Sequence, residues 1–421
     1  MTTNGPDSSA SSNSSIISRR DLLKTAGLLG AAGIFLGRGT TAFASNLVDL
    51  PFANGERSLA RFPQKSDLIL LRTRPPLLET PFDRFDKGVF TSNEDFYVRW
   101  HLPAIPTSID VSTYKLRIDG HVKRPIELSL GDVLNRFNPV QMAAVNQCSG
   151  NSRGFFAPRV PGGQWGNGAM GNALWRGVAL KEILNHAGIQ PGAVQVRFGG
   201  LDEGEMPQTP HFLKSLDIEH AMNGEVMIAY EMNGAPLPML NGFPLRLVVP
   251  GWYATYWVKM LSHIEVLDRP DTNYWMKTAY LIPDTPGANM HPGQKNVTMV
   301  PINRMVPRSF ITNLRNGAVV PLRQRTIVRG IAFGGDTGLG SVMFSSDGGQ
   351  HWSSATMGPD RGKYGFRQWE FAFDPASPGE FTLMAKAINS DGVAQPLAPN
   401  WNPGGFMRNV VESVRVRAAG A

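Results

Sequence analysis

Cys148 is the only cysteine among 421 residues, so whatever this chain folds into is held together without a disulfide. One thiol also cannot supply the paired ligands of a structural zinc or iron–sulfur site, which leaves apolar cores as the source of stability. Three roles remain for the thiol itself: a nucleophile, a single thiolate ligand to a metal, or a small buried hydrophobe. It sits in Asn146-Gln147-Cys148-Ser149-Gly150-Asn151-Ser152-Arg153-Gly154. Small, polar and cationic neighbours of that kind argue against the apolar role.

The N-terminus carries an address. Ser18-Arg19-Arg20-Asp21-Leu22-Leu23-Lys24 precedes an apolar stretch from Thr25 to Gly37, and Ala42-Phe43-Ala44 then offers a small-x-small cleavage site. The pattern is that of a twin-arginine export signal over residues 1–44, which places the mature protein in the periplasm. The apolar stretch falls short of the roughly 20 residues that span a bilayer, so no stable membrane anchor is expected. The twin-arginine route carries folded proteins and suits a chain that must receive a complex cofactor before it crosses. Removing the leader takes away four basic and two acidic side chains, so the net charge falls from +7 to +5 on 377 residues. That length is ample for two domains. There is no Lys/Arg block, and the charge pattern gives no sign of nucleic-acid binding.

Residues 45–95 are rich in Pro, Arg and Asp without a sustained period and read as an extended N-terminal arm. From about Tyr97 to Asp268, short apolar runs such as Gln195 to Phe198, Val226 to Tyr230 and Leu245 to Pro250 alternate with short helical candidates. Two of the latter are Ser129 to Phe137, opened by a serine cap, and Ala179 to Ala187. Mixed short strands and helices predict an α+β domain over residues 96–290, with a long connection from Asp284 to Gln294. Beyond Arg315 the texture changes to strands and Gly-rich turns: Ile327 to Phe333, Ser341 to Ser345, Gln368 to Phe373, Phe381 to Ala385 and Val410 to Val416, with a turn at Asp347-Gly348-Gly349. This predicts an immunoglobulin-like β-sandwich over residues 291–421, without the cysteine pair of antibody domains.

Arg99 and His101 in Tyr97-Val98-Arg99-Trp100-His101 lie two apart, hence on one face of a strand. Arg153 follows Cys148 by five residues. Two guanidiniums and an imidazole near a thiolate would suit a small oxyanion, because arginine offers a rigid donor fork to such oxygens.

The Cys148 to Arg153 run, Val98-Arg99-Trp100-His101, Ala229-Tyr230-Glu231-Met232-Asn233-Gly234, Gly242 to Gly251 and Trp257-Val258-Lys259 together resemble the sulfite oxidase family of molybdenum enzymes. The resemblance runs from about Asn93 to the C-terminus and is closest in kind to bacterial periplasmic sulfite dehydrogenases. It implies that Cys148 ligates molybdenum beside one molybdopterin. It implies further that Arg99, Arg153, Tyr280 and His101 form the substrate pocket, with Trp165 matched to the pocket tryptophan at a different spacing. Tyr97, Asp202, Arg246, Trp257 and Lys259 are the implied cofactor contacts. Asn241 and Trp257 replace two histidines of the vertebrate pattern, and Arg304 and Arg308 lie near the domain junction where a further arginine is sought. The implied reaction is oxygen-atom transfer to sulfite, giving sulfate, and the sandwich would serve as a homodimerisation domain. With one cysteine there is no Cys-x-x-Cys-His haem site, and no dinucleotide fingerprint precedes a helix, so a separate acceptor is expected, a c-type cytochrome. Reduction of sulfoxides would use the same cysteine ligand, but the set Arg99, His101, Arg153 and Tyr280 favours an anion over a neutral sulfoxide. An exported adhesion protein would leave the cysteine run and the folded-export signal without a purpose.

Overall fold

The computed structural model describes residues 47–420; the leader assigned to residues 1–44 lies outside them. Among the described residues strands dominate and the helices are short, so the expected α+β texture is corrected to a mostly β architecture. The reason lies in the helical candidates, which span only two turns each and fill gaps between sheets. Helix Leu130–Arg136 begins where expected: Ser129 Oγ accepts from the Asp132 amide while the Asp132 carboxylate accepts from the Ser129 amide, a reciprocal capping box. Helix Leu180–Ala187 buries Leu180, Ile183, Leu184 and Ala187 on one face. No helix among the described residues is long and apolar enough to cross a membrane.

Residues 47–95 are not an extended arm. They hold the strands Leu47–Asp49, Glu56–Arg61, Asp67–Arg72 and Leu77–Glu79, which run as an antiparallel meander onto Val98–Arg99. Leu68, Leu78, Val98, Trp100 and Met260 make a shared apolar cluster, which is what fixes the meander against the rest of the chain.

Two sheets form the centre. One has the order Leu213–Asp217, Gln195–Gly200, Leu261–Leu267, Lys115–Gly120, Ile126–Ser129, with one parallel pairing between Leu261–Leu267 and Lys115–Gly120. The other is built on a long hairpin, Pro139–Gln147 against Met170–Ala179, continued by Met227–Met232, which also pairs with Arg246–Val248. Strand Pro139–Gln147 runs from exposed at its start to fully buried at its end, so it delivers the next residue, Cys148, into the interior.

The C-terminal part is a two-sheet sandwich. Strands Arg308–Ile311, Thr326–Phe333, Arg367–Phe373 and Thr356–Met357 form one sheet, and Ala318–Pro321, Ser413–Ala419, Gly379–Asn389, Leu339–Ser345 and Ser353–Ser354 the other. Val328, Trp369 and Phe373 from the first meet Val342, Phe344, Leu383 and Val416 from the second. A second cluster, with Val145, Met170, Tyr253, Phe310, Phe333, Phe366 and Phe406, packs the sandwich against the cysteine-bearing hairpin.

Candidate active site

The loop after Pro139–Gln147 is held from several sides. The Cys148 amide donates to Ala169 O at 2.9 Å, the Asn151 amide to Cys148 O at 2.9 Å, and the Ser152 amide to Gly166 O at 2.7 Å. Asn151 Oδ1 accepts from the Ala169 amide, and Ser152, whose φ of 71° is left-handed, gives its hydroxyl to Asn167 Oδ1. Behind this loop the Glu79 carboxylate accepts from the Gly166 and Gly168 amides at 2.9 and 2.8 Å, and burial raises its pKa to about 7. The meander thus supports the cysteine loop through one buried carboxylate.

Cys148 opens onto a cleft lined also by Tyr97, Arg99, His101, Ser149, Asn241, Arg246, Thr255, Lys259 and Tyr280. Strand Val98–Arg99 carries Arg99, with Tyr97 just before it and His101 beyond its end, so Arg99 and His101 do not share a strand as expected. Tyr280 follows helix Tyr274–Lys277 with a φ of 59°, a left-handed backbone for a bulky aromatic, which costs on the order of 1 kcal/mol and is found where a side chain must be aimed. Its ring stacks on Phe406 at 5.4 Å and lies under the Arg99 guanidinium at 5.8 Å. Its hydroxyl is 2.5 Å from His101 Nε2. The imidazole stacks on Phe212 and meets Trp275 edge-on; this burial, reinforced by the nearby Arg99, holds its pKa well below the ordinary value. His101 is therefore neutral at physiological pH, and burial likewise keeps the Tyr280 phenol protonated.

The cleft is strongly cationic. Burial lowers the pKa of Arg246 to about 10, so its guanidinium stays charged, and burial beside Arg246 brings Lys259 down to about 7. The Arg246 guanidinium donates to Asn241 O and Trp257 O and packs on the ring of Trp175 at 4.9 Å. Lys259 lies 4.4 Å over Trp100. Asp202 is buried close to Lys259, which opposes the rise that burial imposes on its carboxyl.

Several residues singled out in the sequence lie behind the cleft instead of lining it. Arg153 is buried within reach of the Cys148 field, but its guanidinium donates to Gly404 O at 2.9 and 3.1 Å and to Gly163 O at 3.3 Å, and it lies over Phe406. A Cβ at Gly150 would come within 2.3 Å of that guanidinium and displace it from its carbonyls, and Gly405, with a left-handed φ of 59°, would set one 2.5 Å from Val160 Cγ2 and 2.8 Å from Arg153 Cγ. The indole of Trp257 gives its N–H to Trp252 O at 3.0 Å and meets Trp175 edge-on, which leaves it as a support for Arg246. Trp165 is buried edge-on to Tyr97 at 6.4 Å. Arg304 forms an exposed ion pair with Asp336, and Arg308 is buried against Ser152 Oγ and Glu412, so neither lines the cleft. Sequence reasoning missed Ser149 and Thr255 as lining residues. Ser149 adjoins the cysteine and could have been named on that ground; Thr255 carries no local signal.

The polar atoms left over decide what the cleft is for. Arg99 Nη1, His101 Nδ1, Asn146 Nδ2, Gln147 Oε1, Ser149 Oγ, Arg246 Nε and Thr255 Oγ1 are buried without a protein partner. Each such group costs about 1–3 kcal/mol when left unmade, and their concentration around Cys148 fits a large anionic ligand rich in hydrogen-bonding atoms, with a thiolate at its metal end. The comparisons agree. Residues 101–275 match the family model of the oxidoreductase molybdopterin binding domain, and residues 299–419 that of the Mo-co oxidoreductase dimerisation domain. The sulfite oxidase of Gallus gallus is 32% identical over 365 residues, 82% of this chain and 77% of that protein.

This chain belongs to the sulfite oxidase family of molybdopterin enzymes. Its cofactor is the molybdenum-bound molybdopterin of that family. The mitochondrial sulfite oxidase of Mus musculus is 33% identical over 362 residues, and the chain spans 64% of its length. Among solved structures, the sulfane dehydrogenase SoxCD from Paracoccus pantotrophus shares the fold, with a TM-score of 0.68 at 22% identity, over 93% of this chain and 97% of that one.

Proposed function

We propose that the protein oxidises sulfite to sulfate in the periplasm and passes the electrons singly to a separate c-type cytochrome. The observation that carries this reading is the convergence of Cys148, Arg99, Arg246, Lys259 and Tyr280 on one cationic cleft with unmet donors. Overall, sulfite and water give sulfate, two protons and two electrons. When bound, the cofactor supplies the transferred oxygen atom and takes up the electron pair. Cys148 would hold its metal as thiolate, Arg246 and Lys259, with Tyr97 alongside, would hold its anionic portion, and Asp202, beside Lys259 and outside the cleft lining, would accept from its N–H groups.

Arg99 would bind the sulfite anion, since its guanidinium faces the cleft with Nη1 unpartnered. Tyr280 would orient a substrate oxygen through its hydroxyl, which His101 fixes from the other side. In the tautomer with hydrogen on Nε2, the neutral imidazole donates to the phenol oxygen and leaves the phenolic hydrogen for the cleft. Arg153 would add positive potential from behind and hold the 402–407 loop in place. A fixed array of this kind stabilises charge as it develops and needs little reorganisation. Two copies would associate through the sandwich, as the family's dimerisation domain suggests.

The test is sulfite-dependent reduction of cytochrome c by protein purified with its cofactor, beside Cys148→Ser. Activity in the first, with loss of at least about 10³-fold in the second, is the expected result. A molybdenum-loaded wild type that ignores sulfite would overturn the substrate and redirect the search to sulfoxides.

A further inference from the structure

Lys65 lies on the turn between strands Glu56–Arg61 and Asp67–Arg72, in a stretch with no assigned part in the chemistry. Yet it is 5% exposed, and its ammonium is fully engaged. It donates to Asn93 O at 2.7 Å, to Phe96 O at 2.9 Å and to the Oδ1 of Asn241. Three acceptors around Nζ call for the three hydrogens of the ammonium, which burial confines to pH values up to about 7, and none is left to reach a ligand directly.

What Lys65 does is set its neighbour. A side-chain amide can be turned either way, but an ammonium only donates, so the atom of Asn241 that faces Lys65 is the oxygen. A second, independent contact gives the same answer: Asn241 Nδ2 lies 3.2 Å from Tyr97 O, which only accepts. The amide nitrogen has two hydrogens. One goes to Tyr97 O, and the other has no acceptor among the described residues, on a side chain that lines the cleft next to Arg246. The main chain of Asn241 is tied in as well, since its carbonyl accepts from Arg246 Nη1 at 2.9 Å.

We infer that Lys65 is a positioning residue for cofactor binding: it locks the Asn241 amide so that an N–H donor points at an acceptor atom of the molybdopterin. The buried ammonium and Tyr97 O together give the Asn241 amide one orientation in place of two. The inference rests on the family's cofactor and not on sulfite, so a loaded protein inert toward sulfite would leave it standing.

The experiment measures molybdenum by mass spectrometry and pterin by fluorescence after oxidation, per folded molecule, in purified holoenzyme. Asn241→Asp keeps the oxygen that Lys65 holds and forms an ion pair with it, but removes both N–H donors, the one given to Tyr97 O as well as the one left for the cleft. Its thermal midpoint should be held, the ion pair offsetting the bond lost to Tyr97 O, while pterin content falls at least threefold. Lys65→Met should lower pterin content by a similar factor, and the double variant Lys65→Met/Asn241→Ala should lose no more than Asn241→Ala alone. Should Lys65→Met not fold, Lys65→Gln keeps two N–H donors for the backbone carbonyls and replaces it. Wild-type pterin content in Asn241→Asp, or losses at residues 65 and 241 that multiply, would overturn the inference.

Discussion

The cleft and the C-terminal sandwich are built on opposite principles. In the sandwich, Val328, Trp369, Phe373, Val342, Phe344 and Leu383 meet across two sheets in an apolar core. Around Cys148 the buried surface is polar and cationic, with unmet hydrogen-bonding atoms on Arg99, Ser149, Arg246 and Thr255. The sandwich core leaves over one such atom, Trp369 Nε1, whereas around Cys148 they cluster and await a ligand. The same kind of substitution should therefore act on stability in one region and on cofactor or substrate in the other.

The sharpest test of that contrast removes the largest side chain from each. Trp369→Ala should cost about 3–5 kcal/mol in chemical unfolding, with cofactor content per folded molecule unchanged. A loss of cofactor in that variant would break the comparison. Next in size, Arg99→Met should lower kcat/KM for sulfite by roughly 10²–10³-fold while leaving the cofactor-free protein as stable as before or more so, because a cation with an unmet buried donor is gone.

A pH series should separate the regions further. Burial lowers the pKa of Lys65, of Lys259 and of Lys214, whose ammonium donates to Trp275 O and lies 5.6 Å over the Tyr280 ring, from 10.5 to about 7. Below about pH 7 both folded and unfolded chains hold these protons, and the folded state bears the whole cost of the buried charges. Between about 7 and 10 only the unfolded chain keeps them, so stability rises with pH, by at most about 1.4 kcal/mol per unit and per lysine. The thermal midpoint of the cofactor-free protein should increase from pH 7 to 9, and Lys214→Met should flatten the rise. Glu79, raised to about 7, acts in the lower window, where stability falls as pH climbs from 4.5. The smallest effect belongs to the sandwich surface: Arg325→Ala breaks an exposed pair with Asp374 and should shift stability by no more than about 0.5 kcal/mol. A larger shift would mean that surface charge, and not the core alone, holds the sandwich together.

What could be read in the sequence follows the same division. The sandwich strands Leu339–Ser345 and Arg367–Phe373 were legible because each has a solvent side and a core side, and Thr326–Phe333 because its first half alternates before it runs wholly buried. The capping box at Ser129 was legible because it is local. The hairpin Pro139–Gln147 with Met170–Ala179 was not, since its residues are buried on both faces near the cleft and so lack alternation. The meander before Tyr97 was hidden by its prolines and charges. At the site, the motif residues Arg99, Cys148, Arg246, Lys259 and Tyr280 do converge, but Lys65 resembles any loop lysine until its three acceptors, as much as 176 residues away in the chain, are brought around it. Likewise, nothing local to Arg153 shows that its guanidinium is claimed by Gly404, 251 residues further on.

That last contact sets a limit on how the molecule can be divided. Arg153 is clasped by Gly404 O, the Met407 amide donates to Ser149 O at 3.2 Å, and Phe406 lies flat on the Tyr280 ring. The 402–407 segment, near the end of the chain, thus braces from behind a cleft whose lining residues all come from the first two thirds. A polypeptide cut after residue 290 would keep every motif residue and still lack the piece that holds two of them in place, so the shortest catalytic unit of this protein is nearly the whole of it.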